Sequence, residues 1–125
     1  MAAAAGQFAI ALLNVNLIRI MKWKRDLDRL PLLVCEVFHV HAWFISVTLC
    51  LFAVLTARFA GELSITPLGR WLAAGIAIFW GFRTLLQITY YSSAHWRGNP
   101  ARTTAHAILL CVYGSVTTVY LLAAI

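Results

Sequence analysis

The sequence predicts an all-α membrane protein: a single domain over 1–125, folded as a bundle of four transmembrane helices. Three observations predict it. Apolar residues fill 62% of the 125 positions and charged residues 11%, so polar groups are too few to cover a water-facing surface. The apolar residues gather in four runs, near 2–21, 31–60, 70–91 and 103–125. Each is long enough to cross about 30 Å of hydrocarbon at about 1.5 Å per residue. The runs are continuous, whereas a transmembrane strand of about 9–11 residues alternates.

The first run, from Ala2 to about Met21, reads as a retained span. A cleaved signal peptide wants positive charge before its apolar core and small residues after it. Here Met1 to Gly6 carries no Lys or Arg, and the run ends in Lys22-Trp23-Lys24-Arg25. Lys22 to Leu30 is a short charged loop. Pro31 suits the first turn of the second helix, where its missing N–H goes unused. That helix runs to about Ala60, longer than a span requires, which tilt accommodates. Gly61-Glu62-Leu63-Ser64 and Thr66-Pro67-Leu68-Gly69 punctuate the next turn. The third span takes Arg70 to Tyr91. Ser92 to Thr104, with Gly98-Asn99-Pro100, is the last loop, and the fourth span runs from Thr103 or Thr104 to Ile125.

Charge sets the expected orientation. Lys22, Lys24, Arg25 and Arg29 in the first loop join Arg97 and Arg102 in the third, against Arg58 and Arg70 in the second. The richer side faces the cytoplasm. Both termini then lie on the non-cytoplasmic side of a plasma or inner membrane. The net charge of +6 would suggest nucleic acid in a soluble chain. No basic surface interleaved with aromatics is present, so anionic lipid is the expected partner of these loops and nucleic acid is not. Cys35, Cys50 and Cys111 are odd in number, form no CxxC pair and lie in apolar runs. They read as small buried hydrophobes.

Polar residues inside the spans mark the candidate site. An ionisable group in hydrocarbon costs about 2.5–3.5 kcal/mol on insertion scales, so each needs a partner or a purpose. At helical rise Glu36 lies about 7.5 Å and His39 about 12 Å from the cytoplasmic end of the second helix. Arg83 and Gln87 lie about 12 Å and 6 Å from that end of the third. Asn14 and Asn16 close the first span, His95 follows the third, and His106 opens the fourth. Antiparallel neighbours would bring Asn14, Glu36, His39, Arg83, Gln87 and His106 into one cytoplasmic-side polar layer. Glu36 and His39 share a helical face at i, i+3, while His41 points well away from His39. Arg83, Gln87 and Tyr90 share a stripe at i, i+4, i+7. Glu36 is the carboxylate within a span, which makes Glu36–Arg83 the expected ion pair, a clip fixing which helices adjoin.

Three cofactor chemistries can be weighed on these residues. Glu36-x-x-His39 has the spacing of carboxylate-bridged di-iron bundles, but that site needs two such motifs and two further Glu residues. A mononuclear transition metal on Glu36, His39 and His106 is chemically allowed. A haem needs two facing imidazoles, such as His39 or His41 with His106. The commoner fate of a histidine in a span is a hydrogen bond to a neighbouring helix, so no cofactor is the first expectation. No GxSxG, HExxH or P-loop motif appears. Tyr90, Tyr91, Trp96, Trp23, Trp43 and Trp71 read as interfacial aromatics. Ala73, Ala74, Gly75 and Ala77, with Gly114 and Ser115, permit close helix approach. The stretch from Phe79 to His106 is more specified than lipid-facing sequence requires.

The leading functional expectation is a non-catalytic accessory or structural subunit of a larger membrane complex, with other membrane subunits or further copies as partners. The alternative is a membrane redox, metal-binding or haem-binding protein built on the polar layer.

Overall fold

The structure, a computed structural model, describes residues 1–20, 22–90 and 100–125. Met21, Tyr91, His95, Trp96, Arg97, Gly98 and Asn99, all weighed above, lie outside the described residues. The described elements are all helices: α1 Ala2–Ile20, α2 Lys24–Leu27, α3 Leu32–Arg58, α4 Glu62–Ile65, α5 Pro67–Thr89 and α6 Pro100–Ala124. Three of them, α3, α5 and α6, are long and apolar enough to cross a membrane. In α1 the apolar part of the described residues is shorter, Ala2–Asn16.

Helix starts depart from the expected boundaries at two prolines. Pro67 was expected in a turn but opens α5, and Pro100 was expected in a loop but opens α6. The reason is local. Proline at the first helical position forfeits no intrahelical bond and its fixed φ suits the helix. Before Pro67, Thr66 in extended backbone acts as the cap, its Oγ1 accepting from Gly69 N at 2.9 Å. The short α2 and α4 were not anticipated, because four residues carry no periodic signal.

The chain divides into two compact units, 1–58 and 59–125. In the first, α1 packs along α3. Their buried positions recur at spacings of three and four: Ala4, Gln7 and Ala11 on α1, and Ser46, Leu49, Ala53 and Thr56 on α3. That is the 3.5-residue period of a coiled-coil seam. Asn14, in the second half of α1, meets Ala42 and Ser46 near the middle of α3; α3 begins shortly after α1 ends and packs back along it, so the two run antiparallel.

In the second unit α5 packs along α6, and α4 braces both. The buried face of α5 carries Gly69, Ala73, Ile76, Ala77, Trp80 and Gln87; that of α6 carries Tyr113, Val116 and Tyr120. Gln87 meets His106 and Trp80 meets Tyr113, an antiparallel register. Gly69, Ala73, Ala77 and Gly81 repeat at four residues, the small-residue spacing that lets helices approach. Gly81 packs there, since a Cβ would lie 3.5 Å from the Thr117 methyl. Gly75 and Gly114, also expected to serve close approach, face open space instead.

Gly69 is tighter. A Cβ there would run into the backbone carbonyl of Glu62 and the Cα of Leu63, where α4 crosses the start of α5. Backbone atoms cannot rotate aside as a side chain does. Gly69→Ala should therefore destabilise by about 1–3 kcal/mol despite alanine's better helix propensity. Thermal unfolding in mild detergent measures this, and an unchanged or raised midpoint would show that α4 does not pack so closely.

Candidate functional site

The second unit gathers three of the expected residues. Arg83 and Gln87 are one turn apart on α5, and His106, in the second turn of α6, lies opposite them. Arg83 Nη1 donates to Gln87 Oε1 at 2.9 Å. Gln87 Nε2 lies 2.8 Å from His106 Nδ1. The direction of the second bond follows from the first. Arginine has donors and no acceptor, so the Gln87 oxygen must turn to it. The Gln87 amide nitrogen is then left to donate, and His106 Nδ1 must accept. The neutral imidazole carries its proton on Nε2.

Aromatic rings continue the chain along the same seam. The Arg83 guanidinium stands 4.8 Å from the Tyr113 ring centroid, a cation–π contact. Tyr113 stacks against Trp80 with centroids 5.4 Å apart and planes tilted by 34°. Gln87 is 5% exposed and Trp80 1%, whereas Arg83 and His106 are half-buried. The polar cluster thus opens at one end of the α5–α6 seam and closes on aromatic packing at the other.

Tyr90 departs from the expected stripe. It caps the end of α5 and is 79% exposed, whereas Gln87 is turned inward. Asn14 makes its bonds within the first unit: its Nδ2 donates to Ala42 O and to Ser46 Oγ, each at 2.8 Å. Asn16 points elsewhere and bonds back to Leu12 O.

Glu36, His39 and His41 are exposed on α3. His39 Nδ1 lies 2.7 Å from Cys35 O, and His41 Nδ1 lies 2.9 Å from Val37 O. A carbonyl oxygen accepts, so both Nδ1 atoms carry hydrogen and each neutral ring turns its Nε2 lone pair outward. This is how a metal-ligating histidine is held. His106 is held the opposite way. Ligation through its Nε2 needs hydrogen on Nδ1 and a flipped Gln87, which gives up the Arg83 bond. Among the described residues no three His, Cys, Asp or Glu side chains form a metal-binding group. Glu36 and His39 belong to the first unit, Arg83 and His106 to the second.

Gln7, Ser46 and Thr56 are buried in the first seam although they are not among the polar residues singled out from the sequence. Tyr113 is not among those singled out either. Their signal was the spacing of three and four shared by Ala4, Gln7, Ala11 and Asn14, with the same pattern from Ser46 to Thr56. Among the described residues every buried side-chain nitrogen and oxygen has a hydrogen-bond partner. Compared with protein-family models, with curated proteins and with solved structures, the chain matches none.

Proposed function

We propose that this protein is a small integral membrane protein that acts as a non-catalytic accessory or structural subunit of a larger membrane complex. One observation supports the membrane part of this reading: both units present large apolar side chains on their outer faces and bury some polar ones at their seams. Gln7, Ser46, Thr56 and Gln87 are buried, while Phe44, Leu51, Ile78, Phe82 and Leu122 stand outside. In the most apolar stretches of α3, α5 and α6 no more than 28% of residues are buried within the protein. Water would penalise those outer faces, whereas lipid or apolar partner helices would cover them. Small and polar residues at the seams are what helix pairing in lipid uses.

In this reading α1 joins α3, α5 and α6 as a fourth span, and the chain forms one four-helix domain. The loops around Lys22–Arg29 and before α6 face the cytoplasm, as the Lys and Arg bias requires. A cysteine placed at Ser64, in a chain whose native cysteines are replaced, should react with an impermeant reagent added outside intact cells. A cysteine at Asp28 should not. The reverse pattern would overturn the orientation.

The second reading, a redox, metal or haem protein, is favoured by His39, whose Nδ1 is held by the Cys35 carbonyl so that Nε2 remains for a ligand, on the helix face it shares with Glu36. One preparation in mild detergent separates the two. A colourless, metal-free protein that copurifies with other membrane subunits is the expected result. A Soret band or stoichiometric metal would replace the first reading with the second.

A further inference from the structure

An open groove of about 530 Å³ runs along the first two turns of α5, lined by Ile65, Pro67, Arg70, Trp71, Ala74 and Ala124. It lies wholly within the second unit, where α4, the start of α5 and the end of α6 meet. Carbon surface dominates its walls, and Arg70 is the one charged residue among them. We propose that this groove binds one anionic phospholipid, its phosphodiester on Arg70 and an acyl chain along Trp71, Ala74 and Ala124. This rests on the membrane reading above.

Charge complementarity selects the occupant. Arg70 Nε donates to Ser64 O at 3.1 Å, which fixes the plane of an exposed guanidinium. Both Nη groups remain for a ligand, and a guanidinium edge matches two phosphate oxygens. Arg83, the other cation of α5, is engaged by Gln87 and Tyr113. The outward residues farther along α5, Ile78, Phe82 and Leu85, offer lipid no charge. Arg70 and Trp71 sit one turn inside the helix start, at the depth where a span meets headgroups. Trp71 is 79% exposed and brings an apolar ring with a polar N–H to that level. A free phosphate would find the cation there but would gain nothing from the apolar walls. A phospholipid uses both.

The test reconstitutes the full chain into vesicles of equal parts phosphatidylglycerol and phosphatidylcholine, then releases it in mild detergent for native mass spectrometry. One retained phosphatidylglycerol per chain is expected, favoured about tenfold over phosphatidylcholine: both offer Arg70 a phosphodiester, but the choline cation of the second cancels the net charge that draws the guanidinium. Arg70→Gln should remove the preference. Ala74→Phe, which fills the groove and keeps the charge, should lower retention of both lipids, with helix content by circular dichroism unchanged in both variants. Equal retention of the two lipids, a preference that survives Arg70→Gln, or displacement by millimolar inorganic phosphate would overturn the proposal. A chain that resists carbonate extraction yet retains no lipid overturns the groove alone. A chain that leaves the membrane without detergent overturns the membrane reading as well.

Discussion

Trp80→Ala is expected to destabilise the α5–α6 hairpin by about 3–5 kcal/mol. Trp80 is among the largest fully buried side chains, at 1% exposure. It meets Phe79 edge-on, with centroids 5.7 Å apart, and Tyr113 in a tilted stack. Truncation would leave a cavity lined by rigid backbone and by Tyr113, which also supports the Arg83 guanidinium. On the membrane reading proposed above, the hydrophobic drive between helices is weak, so lost packing contact is the main term and the loss falls toward the lower end of that range. Trp80→Phe should recover about half of the loss, because a smaller ring still fills part of the space. Unfolding titrations in mixed micelles measure both variants. A loss below about 1 kcal/mol for Trp80→Ala would mean that the seam collapses around the gap or that Trp80 does not lie in it.

A change at Gln87 is expected to destabilise as well, and its two obvious replacements should differ in kind. Gln87→Leu removes the acceptor of Arg83 Nη1 and the donor to His106 Nδ1 together, at a site 5% exposed. Each lost partner of a buried polar group costs about 1–3 kcal/mol, and half-burial of Arg83 and His106 lowers that. A loss of about 2 kcal/mol is expected. Gln87→Glu keeps the shape but accepts on both sides. It holds Arg83 and requires His106 Nδ1 to donate, which reverses the bond to α6. The ¹⁵N shifts of His106 report which nitrogen carries hydrogen, so wild type and Gln87→Glu should show opposite patterns at Nδ1. Identical His106 spectra would mean that Gln87 does not set the imidazole's state. A cycle combining Gln87→Leu with His106→Leu should show strong coupling, because the two share one bond.

The sequence by itself determined the helical class, the separation into long apolar segments and their approximate ends. Continuous apolar runs and clustered Lys, Arg, Gly and Pro are local signals, and helix formation is a local response to them. It also marked Arg83, Gln87 and His106, since a polar residue in an apolar run stands out whatever surrounds it. Helical period alone could place Arg83 and Gln87 on one face. It could not show that Gln87 stands between Arg83 and His106, because that depends on the register of α5 against α6. Register is set by packing along the whole seam, by Trp80 against Tyr113 and the small residues from Gly69 to Gly81. It could not separate Tyr90 from that stripe either, because the helix ends there and the side chain turns outward. Only the tertiary structure decided that Asn14 bonds to α3, that Gln7, Ser46 and Thr56 are interior, and that Gly69 is the crowded glycine while Gly75 and Gly114 face open space. The physical reason is the same in each case: a residue's type limits the bonds it can make, but its partner is chosen by which faces the neighbouring helix brings within a few ångströms.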